Sequence, residues 1–135
     1  MGRLNRILLV DDDETSNFLN EFLIKGLDIV DDVYVATNGQ EALDFIDSKH
    51  RTREYPQLIF LDLNMPVMDG FEFLEEFESI QDKLSSKIPV YILTSSNYFK
   101  DFERAKEFSV SGYIIKPLTE EKIRDTLNIE LKDLR

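Results

Sequence analysis

Short apolar runs alternate along this chain with segments whose apolar residues recur at helical spacing. Residues 7–10, 58–61, 90–93 and 113–115 form four nearly continuous apolar runs, and residues 32–37 form a fifth in which apolar and polar side chains alternate. Runs that are apolar on both faces are typical of strands in a parallel sheet covered by helices. The pattern therefore predicts five strands, each far too short to span a bilayer.

The segments between these runs predict five helices. In the first of them Phe18, Leu19, Phe22 and Leu23 recur at helical spacing, and Gly26 follows as a plausible end. The predicted helices are residues 14–25, 40–49, 71–77, 97–108 and 119–134. Because strands and helices alternate strictly and parallel strands are joined by right-handed crossovers, the sequence predicts a doubly wound α/β fold with one five-stranded parallel sheet.

Polar side chains stand where four of the predicted strands end. They are Asp11, Asp12 and Asp13 after the first strand, Asp62 at the end of the third, Thr94 after the fourth and Lys116 after the fifth. In open parallel sheets the carboxyl ends of the strands form the edge where ligands bind. Neighbouring carboxylates repel each other, but a hard cation such as Mg²⁺ prefers their oxygens. The sequence therefore predicts a Mg²⁺-dependent phosphoryl site at this edge.

The bulk composition limits the classes of partner. A chain of 135 residues fits a single domain, which we expect to span residues 1–135 without an output domain. With 16 basic and 27 acidic residues the formal net charge is −11, so direct binding to nucleic acid or to an anionic membrane surface is not expected. The absence of cysteine excludes disulfides and thiolate chemistry. Together these features favour a cytoplasmic protein.

Five motifs resemble, in order and spacing, the receiver domain of two-component response regulators. They are ILLVDDDE at 7–14, LDLNMP at 61–66, MDG at 68–70, ILTSS at 92–96 and GYIIKP at 112–117. Each motif is weakly specific by itself, but the five together cover essentially the whole chain. The resemblance implies a flavodoxin-like fold with strand order 2-1-3-4-5. It also implies an aspartate that accepts a phosphoryl group from a histidine kinase.

The resemblance implies roles for the acidic residues. Asp62 is the expected phosphoacceptor, and Asp11 and Asp12 are the expected acidic pair that binds Mg²⁺. Asp62 itself and the main-chain carbonyl of Asn64 would complete the protein ligands of the metal. A carboxylate is a weak nucleophile, but it can form an acyl phosphate when a cation offsets the charge of the transferring phosphoryl group.

Further residues have roles implied by the same resemblance. Lys116 would bring a positive charge to the phosphoryl oxygens, Thr94 would donate its hydroxyl to them, and the bond before Pro117 would be cis. Thr94 and Tyr113 would also form a switch, in which the threonine moves toward the phosphoryl group and the tyrosine ring follows it. The surface that reports this switch would lie on residues 97–134.

The partners implied by the resemblance are proteins. A sensor histidine kinase or a histidine phosphotransfer protein would be the donor, and a downstream protein target or a second copy would bind through the 97–134 face. Such a domain is not expected to be an enzyme, although its own residues would assist its phosphorylation and dephosphorylation. The loops at 50–57 and 79–87 look longer than the family minimum, and the sequence leaves their role open.

Two alternatives fit part of the sequence. Asp11, Asp13 and Thr15 match the Asp-x-Asp-x-Thr motif of haloacid-dehalogenase-type phosphohydrolases, with Asp11 as the nucleophile. That alternative leaves Asp62 and the loop at 64–70 unexplained, and no acidic pair follows the fifth strand at another strand end. The second alternative is a receiver-like module that binds partners without being phosphorylated. The complete set of site residues disfavours it.

Overall fold

One parallel sheet of five strands forms the centre of the molecule. The computed structural model describes residues 4–49, 52, 54–84, 87–94 and 99–133, apart from the side chains of residues 99 and 131–133. The strands are β1 (Leu4–Val10), β2 (Val30–Ala36), β3 (Leu58–Asp62), β4 (Val90–Thr94) and β5 (Gly112–Ile115). Their order is β2-β1-β3-β4-β5, and every neighbouring pair is parallel. The expected flavodoxin-like fold and its strand order are confirmed.

Five helices follow the strands in alternation. They are α1 (Glu14–Gly26), α2 (Gly39–Lys49), α3 (Gly70–Gln81), α4 (Phe99–Ala105) and α5 (Glu120–Asp133). No helix in the described part of the chain is long and apolar enough to cross a membrane. The bounds agree closely with the predicted helices, with two exceptions at α3 and α4.

Helix α3 is longer, and helix α4 shorter, than the sequence predicted. The predicted loop at 79–87 begins too early, because Ile80 still packs against the core and keeps α3 helical to Gln81. Helix α4 was predicted to continue to residue 108, but it ends at Ala105. Residues 106–108 form tight turns after it, in which each N–H donates to the carbonyl three residues earlier. The predicted start of α4 at residues 97–98 lies outside the described residues, as do residues 50, 51, 53, 85 and 86 of the two long loops.

Each face of the sheet has its own apolar core. Successive side chains along a strand point to opposite faces, so Leu8 and Ile59 pack with α2 and α3 on one face, while Leu9 and Phe60 pack with α1 and α5 on the other. All four side chains are almost completely buried. This two-sided burial explains why the strand segments of the sequence are continuously apolar.

Helix α1 exposes most of its apolar stripe. Phe18 and Phe22 are each 70% exposed and Leu19 is 53% exposed. The side chains that α1 buries are Asn17, Asn20 and Ile24. An apolar stripe at helical spacing is usually the face that packs on the core, but in α1 only Leu23 of the stripe packs partly against the core.

The exposed stripe of α1 continues onto the edge strand of the sheet. Val35 of β2 is 40% exposed, and it lines a shallow depression together with Phe18. We refer to Phe18, Leu19, Phe22 and Val35 as the α1 apolar surface. It lies on the same side of the sheet as α5 and begins within two turns of the acidic residues that follow β1.

Candidate functional site

Asp62 lies at the centre of the carboxyl edge of the sheet. It is the last residue of β3, a strand that is buried at every position and lies between β1 and β4. Asp62 itself is only 7% exposed. The register pairs Val10 with Leu61 and Asp62 with Leu93. Asp11, the residue after β1, therefore lies beside Asp62, and Thr94 at the end of β4 lies one residue beyond it. The edge predicted from the sequence is therefore a real convergence of these side chains.

Gly70 allows helix α3 to begin directly against Asp62. A β-carbon at this residue would lie 2.7 Å from the Asp62 carbonyl oxygen and 2.8 Å from the Leu63 α-carbon, closer than such atoms can approach. The Gly70 N–H donates to the Leu63 carbonyl at 2.9 Å. Asp69 and Glu72 cap the same helix start reciprocally, each side chain accepting from the other's main-chain N–H. The loop after Asp62 is thus tied back to the strand end.

Asp11 is buried and is held by Asp13, which precedes α1, and by Asn17 on α1. It is 3% exposed, and its Oδ1 accepts the N–H of Asp13 at 3.0 Å. The side chain of Asn17 donates from Nδ2 to the main-chain carbonyl of Asp11 at 2.8 Å. Sequence reasoning missed Asn17, and the only sign that could have revealed it is a polar residue interrupting the buried side of α1. Asn17 makes this contact from the buried side of α1, which also carries Asn20 and Ile24.

Asp13 caps helix α1. Its carboxylate accepts hydrogen bonds from the Ser16 hydroxyl at 3.1 Å and from the Thr15 N–H at 3.0 Å. The Ser16 hydroxyl first, and the Thr15 N–H second, lower the pKa of this carboxyl below its usual value. The third aspartate of the sequence is therefore explained by the start of the helix.

Three carboxylates converge in a group that can hold a metal ion. Asp11, Asp12 and Asp62 each offer one oxygen, and these oxygens all lie within 4.8 Å of one another. Asp12 is exposed, so the group opens to solvent on one side. Hard carboxylate oxygens with room for water molecules suit Mg²⁺. Asn64 lies in the exposed part of the loop after β3, and its carbonyl as a metal ligand stays a prediction.

Lys116 bridges two of these carboxylates. Its Nζ lies 2.9 Å from Asp11 Oδ2 and 3.3 Å from Asp62 Oδ1. Its main-chain N–H donates to the Thr94 carbonyl at 2.7 Å, and the bond to Pro117 is cis, as the resemblance implied. Burial acts to lower the pKa of Lys116, but the hydrogen bond to Asp11 and the attraction of Asp62 together raise it. The ammonium is therefore held charged among the acids.

Asp62 ionises with difficulty while no cation other than Lys116 is near. Its pKa is raised from 3.8 to about 6. Burial is the largest cause, repulsion by Asp11 and Asp12 adds to it, and Lys116 acts in the opposite direction. A divalent cation placed among the three carboxylates would favour the ionised form of Asp62. The charge of Asp62 would thus depend on whether a cation occupies this group.

Thr94 and Tyr113 lie on the neighbouring strands β4 and β5. Thr94 is 1% exposed, and the Tyr113 ring packs edge to face on Phe102 of α4 at 5.2 Å between centroids. Burial raises the pKa of the Tyr113 hydroxyl, and the Thr94 side chain acts against this shift. Among the described residues that hydroxyl has no partner at ordinary hydrogen-bond geometry.

The fold and this edge cluster are those of a response regulator receiver domain, and the chain belongs to that family, whose model matches residues 7–128. It is 32% identical over 128 residues to the probable methanogenesis regulatory protein FilR2 of Methanothrix harundinacea, with 94% of this chain and 81% of that protein covered. It is also 32% identical over 124 residues to sporulation initiation phosphotransferase F of Bacillus subtilis, with 90% of each chain covered.

Solved structures agree with the family. A two-component response regulator from Cytophaga hutchinsonii superposes with a TM-score of 0.83 at 28% identity, covering 96% of this chain and 98% of that one. The chain spans 47% to 59% of the length of three other relatives, each described as a probable transcriptional regulator. Family membership places the chain in two-component phosphorelay signalling, in which a receiver interacts with histidine kinases and with downstream targets.

Proposed function

We propose that Asp62 accepts a phosphoryl group from a phosphohistidine donor and that this event changes the protein contacts of the domain. The donor would be a sensor histidine kinase or a histidine phosphotransfer protein. The observation that best supports the proposal is the convergence of three carboxylates with the Lys116 ammonium at one sheet edge. The proposed Mg²⁺ ligands are Asp11, Asp12, Asp62 and the main-chain carbonyl of Asn64.

In the proposed reaction one carboxylate oxygen of Asp62 attacks phosphorus. A P–O bond forms while the P–N bond to the donor histidine breaks, and the imidazole nitrogen keeps the electron pair and takes up a proton from solvent. Lys116 transfers its ammonium contact from the carboxylates to the phosphoryl oxygens, and Thr94 donates its hydroxyl to one of them. Asp11, Asp12 and Asp62 would hold a Mg²⁺ ion, which would supply further positive charge to the transfer.

Thr94 and Tyr113 form the proposed switch. When the Thr94 hydroxyl turns toward a phosphoryl group, it leaves the side of the strand on which the Tyr113 ring lies. That ring contacts Phe102, which is 42% exposed on α4, so a movement of the ring would change the outer surface of α4. A downstream target, or a second copy bound through the 97–134 face, would read this change. Tyr98 and Phe99 stand close to Phe102 in the sequence and belong to the same predicted face, but their side chains lie outside the described residues.

The α1 apolar surface is the proposed contact for the donor protein. Contiguous exposed apolar side chains mark surfaces that partners cover, and α1 starts directly after the acidic cluster. A protein that brings a phosphohistidine to Asp62 would therefore cover Phe18 and Phe22.

In each cycle the domain would accept one phosphoryl group rather than turn over a substrate. Because histidine kinases use ATP, we also propose a cytoplasmic location.

Intact mass after incubation with Mg²⁺ and phosphoramidate tests the proposed acceptor. We expect one added phosphoryl group on the wild type, none with a chelator, and none on Asp62→Asn. Asp11→Asn should slow the reaction, because it removes a proposed metal ligand. Asp44→Asn is the matched control, since Asp44 is an exposed aspartate on α2 that bonds Gln40, and it should react like the wild type.

Two outcomes would contradict the proposal. An adduct that persists in Asp62→Asn and disappears in Asp11→Asn would identify Asp11 as the nucleophile, as in the phosphohydrolase alternative. The structure disfavours that alternative, because the required second acid, Asp13, is engaged in capping α1. The absence of an adduct in every sample would favour a receiver-like module that works without phosphorylation.

A further inference from the structure

Lys116 needs support that its own strand does not give. It follows β5, which lies at the edge of the sheet, pairs only with β4 and has no fully buried residue. Its Nζ must nevertheless reach Asp11 and Asp62 across the end of the sheet, at 2.9 Å and 3.3 Å. A shift of the turn between β5 and α5 would carry the ammonium away from both carboxylates.

Lys122 ties that turn from the first turn of helix α5. Its Nζ donates to the Ile115 carbonyl at 2.7 Å and to the Pro117 carbonyl at 3.1 Å. The first carbonyl belongs to the peptide bond before Lys116, and the second belongs to the peptide bond after Pro117. One ammonium therefore connects the two ends of the short segment that carries Lys116. Hydrogen bonds from a charged donor are stronger than those between neutral groups.

The position of Lys122 in the helix suits this contact. Long helical side chains point toward the amino end of their helix, which here means back toward the turn. The Thr119 hydroxyl accepts the Lys122 N–H at 3.2 Å and so fixes the start of the helix. The helix dipole disfavours a cation in the first turn. In the described part of the chain no carboxylate pairs with Lys122, so the two carbonyls are the groups that hold its charge there.

We propose that Lys122 is a positioning residue for Lys116, which it serves by holding the β5–α5 turn at the level of the acidic cluster. The inference rests on the proposed function, because it assumes that Lys116 assists phosphoryl transfer to Asp62. Lys122 itself does not contact the reacting atoms. It acts through the two carbonyls that flank Lys116 and Pro117.

Phosphorylation by phosphoramidate in saturating Mg²⁺ tests this role with three single variants. Lys122→Met removes the donors but keeps most of the side chain, and we expect about a tenfold lower rate at saturating donor, since small misplacements of a reacting group are costly. Lys122→Arg supplies other donors and should retain most of the rate. Arg124→Met is the matched control, because Arg124 is a cation of the same helix that pairs with Glu120 instead, and it should react like the wild type.

A double-mutant cycle distinguishes an effect through Lys116 from an independent one. If Lys122 acts through Lys116, Lys122→Met should cause no further loss in a Lys116→Met background. The inference is overturned if Lys122→Met reacts as fast as the wild type, if Lys122→Arg is as slow as Lys122→Met, or if Lys122→Met slows the Lys116→Met protein by the same factor.

Hydrogen exchange of the Lys116 amide gives a second readout that needs no phosphoryl donor. This N–H donates to the Thr94 carbonyl, and it should exchange faster in Lys122→Met than in the wild type or Arg124→Met. Unchanged exchange would overturn the positioning role. If the wild type formed no adduct at Asp62 the proposed function would fail, and the exchange rates would still decide whether Lys122 holds the turn.

Discussion

Strands β3 and β5 hold the two halves of the site in different ways. Strand β3 is central and buried at every residue, and it ends in Asp62. Strand β5 lies at the sheet edge with all of its residues partly or largely exposed, Ile115 at 42%, and Lys116 follows it. The carboxylate of Asp62 is therefore fixed by packing on both sides of its strand. The cation is carried by a strand that few neighbours restrain.

Asp62 and Lys116 are held differently because their side chains differ in length and flexibility. The carboxylate of Asp62 is short, so its position is set by the main chain, and only a buried strand fixes the main chain tightly enough. The side chain of Lys116 is long and flexible, and it is positioned by contacts at both ends. Its tip meets Asp11 and Asp62, and its main-chain N–H meets the Thr94 carbonyl. Burial therefore sets one half of the site, and individual polar contacts set the other.

The largest expected effect is a loss of stability when the packing of β3 is damaged. Phe60→Ala removes a ring that is 0% exposed, and we expect the free energy of unfolding to fall by about 3–5 kcal/mol. The matched change on β5, Ile115→Ala, should cost less than about 1 kcal/mol because its side chain is already half in solvent. Urea unfolding of both variants measures this difference. Equal losses would show that the two strands are restrained alike.

A smaller effect is expected from the charge at the end of β3. In the metal-free protein the pKa of Asp62 is raised from 3.8 to about 6, so the folded state binds this proton more tightly than the unfolded chain does. Stability should therefore fall as the pH rises from about 4 to about 6 and remain lower above it, by on the order of 1 kcal/mol because the carboxyl keeps some solvent contact. Lys116 stays charged throughout this range, because its pKa is raised above 10.5.

Urea unfolding without Mg²⁺ at several pH values, for the wild type and Asp62→Asn, isolates this contribution. The acidic groups away from the cluster are common to both proteins, so the difference in unfolding free energy between them should change with pH through Asp62 and the charges that interact with it, Asp11, Asp12 and Lys116. The free energy of unfolding of Asp62→Asn should rise relative to that of the wild type as the pH rises from about 4 to about 6. A difference that is constant with pH would mean that the fold does not raise the pKa of Asp62.

The smallest effect on stability is expected at the α1 apolar surface. If exposure governs the cost, as we also expect for Ile115, the double change Phe18→Ser and Phe22→Ser should alter the free energy of unfolding by no more than about 0.5 kcal/mol. Leu23→Ser, on the partly buried side of the stripe, should lower the free energy of unfolding by more.

The same double variant tests the proposed donor contact. Its phosphorylation by phosphoramidate should match the wild type. Transfer from a phosphohistidine protein that phosphorylates the wild type should be slowed about tenfold or more. Unchanged transfer would remove this surface from the proposed donor contact.

The sequence was sufficient to predict the strands and the acidic edge because both depend on local patterns. Asp11, Asp62 and Lys116 each stand at the end of an apolar run, and a parallel sheet brings such ends together whatever the helices do. The structure then shows the Lys116 bridge between the two aspartates. The roles of these residues in phosphoryl transfer stay predictions from the family resemblance.

The features that the sequence did not reveal depend on how elements are oriented against each other. An apolar stripe on α1 has the same spacing whether it faces the core or a partner, so the sequence did not reveal that Phe18 and Phe22 are exposed. Asn17 looks like an ordinary polar helix residue until its side chain is seen to bond the Asp11 carbonyl. Lys122 is similar, because its contacts depend on the path of the turn that precedes α5.

The exposure of Phe18 and Phe22 also has a consequence for how this domain can evolve. Side chains that contribute little to folding can be exchanged without bringing the protein closer to its stability threshold. The acidic edge has no such freedom, because Asp11 and Asp62 are buried beside a common cation. After a gene duplication, one copy could therefore acquire a new donor through changes on α1 alone, with its chemistry and its fold inherited intact.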